Sequence, residues 1–165
     1  MKKSQTYSQV FIYILTIILI SFILVYGYNS IKNFKERADK LSCLNFRNEL
    51  KTSVDLLTGD FGSVRRKDLQ LCSGYTEVCF VETFRNFDKN NPTFNINSPD
   101  PVILDSISSG TGKNAYLVGG ESFYIGEISL KDKDVVCLKA VNNKISLRLE
   151  GMGNHVLLGQ WGNSN

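Results

Sequence analysis

The run VFIYILTIILISFILVYGY, residues 10–28, contains no charged side chain and decides how the rest of the chain is organised. At 1.5 Å of rise per residue, its 19 residues span close to the roughly 30 Å of hydrocarbon in a bilayer. A soluble core helix of this length would show a polar face, whereas this run is interrupted only by Thr16, Ser21 and tyrosines. Tyr26 and Tyr28 lie near its end, where amphipathic rings prefer the interface. The run therefore predicts one transmembrane helix.

A cleaved secretory signal is the alternative interpretation of the same segment. Lys2 and Lys3 would form its basic region, and Val25-Tyr26-Gly27 would be its cleavage site. However, the apolar run is longer than the roughly 7–15 residues typical of such a signal, and no A-x-A sequence follows it. We therefore expect the helix to be retained as an anchor.

The charge of the chain is close to balanced beyond the anchor. The formal net charge is +3, from 19 basic and 16 acidic residues, and Lys2 and Lys3 are two of the basic ones. The remainder lacks the clustered basic charge and interleaved aromatic residues of a nucleic-acid surface. Arg65-Arg66-Lys67 is a local exception, which we interpret as part of a solvated strand or loop. We expect no nucleic-acid partner.

Four cysteines lie beyond the anchor, an even number in a small domain. In an oxidising compartment this predicts two disulfides, although four cysteines allow three pairings and buried free thiols are the alternative. We favour Cys79 with Cys137, because both lie inside predicted strands, which leaves Cys43 with Cys72 to link helix to sheet. The positive-inside count is nearly tied between the two ends of the anchor. The cysteines therefore decide the orientation, and we expect an extracytoplasmic domain.

Helical periodicity continues after the anchor. Along residues 29–60 an apolar residue recurs every three or four positions, with charged residues between. The recurring positions are Ile31, Phe34, Ala38, Leu41, Cys43, Phe46, Leu50, Val54 and Leu57. Ser42 could cap a second helix, so one long helix and two in tandem both remain open. Thr58-Gly59-Asp60 supplies a stop, with Gly59 suited to the left-handed conformation that often follows a helix. Residues 29–60 are predicted to form an amphipathic helical stalk.

Residues 61–159 carry the signals of a β-rich soluble domain. Segments rich in β-branched and aromatic residues alternate with turn residues. They are Tyr75–Glu82, Ala115–Val118, Ser122–Ile125, Val135–Val141, Lys144–Glu150 and Val156–Leu158. Val102–Ile107 fits either a short helix or a strand, and the polar stretch Thr83 to Pro101 is expected to be a long surface loop. Residues 160–165 are expected to be a flexible tail.

Two hairpins are predicted in this domain. Gly119-Gly120-Glu121 joins the first pair of strands. Asn142-Asn143 joins the second pair, which ends with Lys144–Glu150, because Asn tolerates the positive φ of tight turns. In Lys144–Glu150 apolar and polar residues alternate, as in a strand with one wet face. The predicted fold class is α+β: an N-terminal transmembrane helix, extended by an amphipathic helix, packed on a C-terminal antiparallel β-sheet domain.

The search for catalytic, cofactor and metal motifs finds none. Residues 109–114, SGTGKN, approach a phosphate-binding loop, but Asn114 stands where Ser or Thr is required and Ile107 where Gly is required. His155 is the sole histidine, and we expect it to be exposed in a loop rather than to serve a Cys–His nucleophile or a zinc site. The cysteines contain no C-x-x-C pair. We therefore expect no enzymatic activity, no cofactor and no metal.

The N-terminal leader, residues 1–9, resembles the class III signal of archaeal type IV pilins and pilin-like proteins. In that family a short basic leader ends in a small residue, and a membrane peptidase cuts before a Gln. A Glu follows four residues later, and then the apolar helix. Here two lysines match the leader, Ser4 the small residue and Gln5 the new N-terminus, while Gln9 replaces the Glu. The resemblance implies cleavage between Ser4 and Gln5 and assembly of copies into a surface filament.

Three functions follow from these features. The first is a membrane-anchored extracytoplasmic structural or binding protein, with the chain in the cell membrane as a single-pass protein. The second is a pilin-like subunit of a surface filament, and the third is a membrane-tethered thiol-dependent enzyme. The expected partners are the lipid bilayer and either copies of the chain or other membrane and surface proteins.

Overall fold

A computed structural model describes residues 3–96 and 100–162, with side chains from Val10 onward. Within these ranges a long helix is followed by two strands, a short helix and six further strands, so the fold class is α+β, as predicted. The elements are α1 Lys3–Thr58, β1 Val64–Gln70, β2 Glu77–Val81, α2 Pro101–Ser108, β3 Ala115–Leu117, β4 Ser122–Phe123, β5 Ile128–Leu130, β6 Val135–Lys139, β7 Lys144–Gly151 and β8 Val156–Gln160.

The chain divides into two compact units, residues 1–40 and residues 41–165. The first unit is the N-terminal part of α1, and its large apolar side chains are exposed. The hydroxyl groups of Thr16 and Ser21 donate 2.8 Å hydrogen bonds to main-chain carbonyls one turn earlier. The apolar run thus satisfies its own polar groups, as a helix in hydrocarbon must. By length and composition, this helix is long and apolar enough to cross a membrane.

The second unit begins with the last turns of α1. Phe46, Leu50, Val54 and Leu57 are spaced by four, four and three residues and are at most 2% exposed, so one helix face is buried as the spacing predicts. The helix is unbroken at Ser42, which decides between the two alternatives left open by the sequence. The expectation for Gly59 is wrong, because after this helix the first left-handed glycine is Gly62, at φ +80°.

The strands form two four-stranded sheets rather than the single sheet that we expected. The first sheet has the order β1-β7-β8-β5 and the second the order β4-β3-β2-β6. All neighbouring strands are antiparallel except β5 and β8, which are parallel. The domain is therefore rich in antiparallel pairs, and its β residues are divided between two layers.

Two hydrophobic cores lie on opposite faces of the second sheet. The larger core joins the buried face of α1 to both sheets and contains Val78 and Phe80 of β2. The smaller core contains Cys79 and Val81 of the same strand, packed against α2. Because both faces of β2 are buried, its sequence EVCFV reads as a continuous apolar run instead of an alternation.

One predicted hairpin forms and the other does not. β3 and β4 pair as predicted. At the second site Asn142 and Asn143 take positive φ values of 52° and 60°, as the turn requires. However, only Val141 and Lys144 pair across it, since β6 then joins β2 and β7 joins β1 and β8. The turn carries the chain from one sheet to the other because each strand has core residues on its own layer.

Residues 101–108 form a helix, which decides the second open alternative. The carboxylate of Asp100 accepts a hydrogen bond from the amide of Val102 at 2.9 Å, and Pro101 occupies the first turn. Ile103 and Ile107 then face the smaller core. The preceding predicted loop includes residues 97–99, and the predicted tail includes residues 163–165, which lie outside the described residues. Gln160, assigned to that tail, belongs to β8.

Candidate functional site

Ser4 and Gln5, the candidate leader-peptidase site, fall in the first turns of α1. The structure describes their backbone but not their side chains, and the same holds for Gln9. Cleavage between Ser4 and Gln5 therefore stays a prediction.

The cysteines pair as we favoured from the sequence. Cys43 on α1 bonds to Cys72, just after β1, with Cα atoms 4.6 Å apart, and so ties the helix to the first sheet. Cys79 bonds to Cys137 across β2 and β6, with Cα atoms 3.9 Å apart. Both bridges lie within the second unit, where Cys72, Cys79 and Cys137 are buried. They divide the work between helix attachment and strand pairing.

The position of Cys137 within its ladder explains the second bridge. Its amide donates to Oδ1 of Asn95 at 2.7 Å, and its carbonyl accepts from Nδ2 of the same side chain at 2.9 Å. The backbone polar groups of Cys137 therefore point away from β2. Cys79 and Cys137 are thus a directly opposed pair without mutual backbone hydrogen bonds, the class of antiparallel pair whose side chains approach most closely.

A carboxylate lies beside this disulfide. One ligand atom each of Glu77, Cys79 and Cys137 lies within 4.8 Å of the others. Oε1 of Glu77 is buried and has no hydrogen-bond partner among the described residues. The sulfurs are bonded to one another, so neither supplies the thiolate that a metal would require. In this oxidation state the cluster is a structural staple.

A buried ion pair, which we did not predict from the sequence, connects the two sheets. Glu82 follows β2, and its side chain is fully buried. Its Oε1 accepts hydrogen bonds from the amides of Phe84 and Arg85, and its Oε2 accepts from the Arg85 guanidinium and from the amide of Leu130 in β5. The Arg85 guanidinium also donates to the carbonyl of Leu130. Every lone pair of the carboxylate is thereby engaged, as a buried charge requires.

These side chains also occupy the free edge of β5. The amide of Ile128 donates to the Thr83 hydroxyl at 2.9 Å, and its carbonyl accepts from the amides of Thr83 and Phe84. Together with the contacts to Leu130, the segment from Glu82 to Arg85 acts as a short irregular strand. The spacing of Glu82 and Arg85 at i and i+3 directly after a strand was the only sequence signal of this arrangement.

A polar cavity of about 300 Å³ lies beside this ion pair. Arg85, Lys89 and Lys113 contribute three cationic side chains to its wall, and Glu82 and Glu127 contribute two carboxylates. The wall also includes the loop at Gly110 to Lys113 that resembled a phosphate-binding loop; its residues follow α2 rather than precede a helix. The loop lacks the helix N-terminus that a phosphate-binding loop places against its ligand.

The hydroxyl groups of the cavity wall bond mostly to one another. Oγ of Ser106 lies 2.8 Å from Oγ1 of Thr111 and 3.0 Å from the Tyr116 hydroxyl. The Tyr124 hydroxyl donates to Glu127 at 2.7 Å. Burial, together with that hydrogen bond, raises the pKa of Tyr124 to about 12, so it stays protonated at neutral pH. The wall can hold a small polar molecule through groups of both charges.

His155 is buried, which corrects the expectation of an exposed loop histidine. Its ring is stacked on Phe84 with centroids 3.7 Å apart, and its Nδ1 lies 2.6 Å from Oδ1 of Asn154. The stack joins the start of β8 to the segment that covers β5. His155 therefore has a packing role next to the ion pair.

Comparison of this chain with protein-family models, with curated proteins and with solved structures finds no match.

Proposed function

We propose that this chain is a membrane-anchored extracytoplasmic protein with a structural or binding role, and that residues 10–28 are its permanent anchor. The observation that carries the proposal is the exposure of this run. Phe11, Phe22 and Leu24 are more than 60% exposed although they are among the most apolar side chains of the sequence. An apolar surface of this length is stable in hydrocarbon and costly in water.

The two disulfides support the extracytoplasmic side. Such bridges persist in oxidising compartments and are rare where glutathione keeps thiols reduced. They also suit a domain that must hold its fold outside the cell, since each one limits the unfolded chain.

Extraction of membranes with alkaline carbonate tests the anchor. We expect the chain to stay in the membrane pellet. Replacing Ile17 and Ile20 by Arg should release it or prevent its insertion, because each charge near the middle of a span costs about 3 kcal/mol. The matched control replaces Ile31 and Phe34, which are exposed on the same helix beyond the run. Release of the wild-type chain, or equal release of both double variants, would contradict a permanent anchor.

A pilin-like subunit is the second candidate. The observation in its favour is that a single helix, α1, carries both the apolar run and the face that is buried in the β-domain. This is the plan that the resemblance at residues 1–9 implies. Mass spectrometry of the N-terminal peptide from native membranes separates the two candidates. A peptide that begins at Met1 or Lys2 supports the permanent anchor, whereas one that begins at Gln5 supports the pilin-like subunit.

A further inference from the structure

The free edge of β1 presents unpaired backbone groups to solvent. The amide of Gly151 donates to Ser63, and that of Leu71 donates to Asn143, at the two ends of the β1–β7 ladder. With the register Val64 to Glu150, these bonds direct the backbone groups of residues 65, 67 and 69 toward β7. Residues 64, 66, 68 and 70 therefore direct their N–H and C=O groups outward. Among the described residues, no backbone partner meets them.

The other sheet edges are shorter or occupied. β5 is covered by Glu82, Thr83 and Arg85, as described above. On β6, Cys137 is bonded to the Asn95 side chain, and Val135 donates to the carbonyl of Thr93. β4 has two residues and β1 has seven. Within residues 3–96 and 100–162, β1 is thus the longest edge without such a cover, and an open edge is a template for an added strand.

The charge of β1 selects the partner that this edge fits. Arg65, Arg66 and Lys67 are consecutive and Asp68 follows. Arg66 and Lys67 form ion pairs with Asp68 and Glu49, but these are exposed pairs of the kind that contributes little and rearranges readily. A second copy of β1 in antiparallel pairing would place like charges opposite one another, which is destabilising. An acidic strand would place opposite charges there.

We propose that the outer edge of β1 binds an extended, acidic peptide segment of a partner protein by β-strand addition. Backbone hydrogen bonds to residues 64, 66, 68 and 70 hold the segment, and Arg65, Arg66 and Lys67 select its acidic side chains. Phe61 and Val64, 79% and 44% exposed, offer an apolar contact at one end of the strand. This inference names a partner class for the proposed binding role, and it does not depend on the anchor or on its orientation.

The test uses the full chain in lipid nanodiscs and a fluorescent octapeptide that alternates Glu and Thr. We expect saturable binding by fluorescence anisotropy that weakens with salt, since the charges are exposed. The same peptide with Lys in place of Glu, and one with N-methylated central amides, should bind at least about tenfold more weakly. Equal binding of the three peptides, or no binding up to about 1 mM, would overturn the proposal and leave the charges as a guard against aggregation.

Two protein variants separate backbone pairing from charge. Arg66→Pro removes an outward N–H but no bond to β7, and proline is tolerated on such an edge. It should bind the Glu peptide several-fold more weakly than Arg66→Thr, which loses only the charge. Arg65→Glu should weaken the Glu peptide and strengthen the Lys peptide, and it serves if the proline variant melts early. Unchanged affinities in Arg65→Glu, or equal affinities in folded Arg66→Pro and Arg66→Thr, would contradict strand addition. Carbonate extraction of the same samples reports on the anchor separately.

Discussion

At the residue scale, Leu147 shows how the alternation of β7 divides core from solvent. Ile145, Leu147 and Leu149 are at most 3% exposed, as the alternation predicts, whereas the residues between them are not buried. Leu147→Asp should lower the free energy of unfolding by on the order of 4 kcal/mol, because an unpaired charge enters the core. Val141→Asp is the control, since Val141 is 73% exposed. Equal shifts of the two melting temperatures would contradict the assignment of the faces.

Tyr124 gives a pH-dependent prediction at the same scale. Its pKa is raised to about 12, chiefly by burial and then by the hydrogen bond and charge of Glu127. A raised folded pKa favours the protonated form, so this stabilisation is complete below the unfolded pKa near 10 and is lost as the pH rises through about 12. In a tyrosinate absorbance titration, Glu127→Gln should shift the last transition to lower pH. No shift relative to wild type would show that Glu127 does not contribute.

The buried ion pair shows what residue patterns leave out. Glu82 and Arg85 look like ordinary surface residues of a polar loop, and nothing in their spacing says that the loop will cover β5. Their burial depends on the position of β5, which is 46 residues further along the chain than Glu82. His155 was misjudged for the same reason, because Phe84 of this loop covers it.

At the element scale, the end of α1 is attached to β7 through a glycine. A Cβ atom on Gly151 would overlap the carbonyl oxygens of Leu57 and Asp60. Gly151→Ala should therefore destabilise the domain by about 3 kcal/mol, since backbone must move. Gly159→Ala is the matched control in the neighbouring strand β8, where no atom lies within 4 Å of the new Cβ. Chemical denaturation of both variants measures the difference, and equal stabilities would contradict the close packing of helix end and strand.

The disulfides act on the same elements. They close loops with sequence separations of 29 and 58 residues, so loop-closure entropy assigns them roughly 3.5 and roughly 4 kcal/mol. Replacing Cys43 and Cys72 by Ser should loosen the helix end, and replacing Cys79 and Cys137 should loosen the second sheet, each lowering the melting temperature. Labelling of free thiols in unreduced, denatured wild-type protein is the direct check. Four labelled thiols would contradict both bridges.

Elements were predictable from the sequence where local patterns dominate. The stripe of α1 and the alternation of β7 come from the helical and strand periods themselves. The residues Asp100 and Pro101 carried a usable helix-start signal, but the six apolar-rich residues after them are too few for periodicity to decide. The hairpin at Asn142-Asn143 failed differently: the turn is encoded locally, whereas the partners of β6 and β7 are set by the two sheet layers.

At the scale of the whole molecule, the layering of the sheets was beyond the sequence. The choice between one sheet and two depends on which strand edges remain open, and those edges are closed by side chains such as Asn95 that have no periodic signal. The cysteine pairing was within reach because it rests on the neighbourhood of two strands. The open edge of β1 carried only its basic cluster as a clue, which reads equally well as a solvated loop.

The outward-facing anchored arrangement is tested most directly by thiol accessibility on the two sides of the membrane. Ser109→Cys places a thiol in an exposed loop of the β-domain, and Ser4→Cys places one before the apolar run, while the native cysteines remain in disulfides. In intact cells, a membrane-impermeant maleimide should label Ser109→Cys at once and Ser4→Cys only after permeabilisation. Labelling of Ser4→Cys alone in intact cells, or of both variants alike, would contradict a single-pass anchor with its disulfide-bonded domain outside.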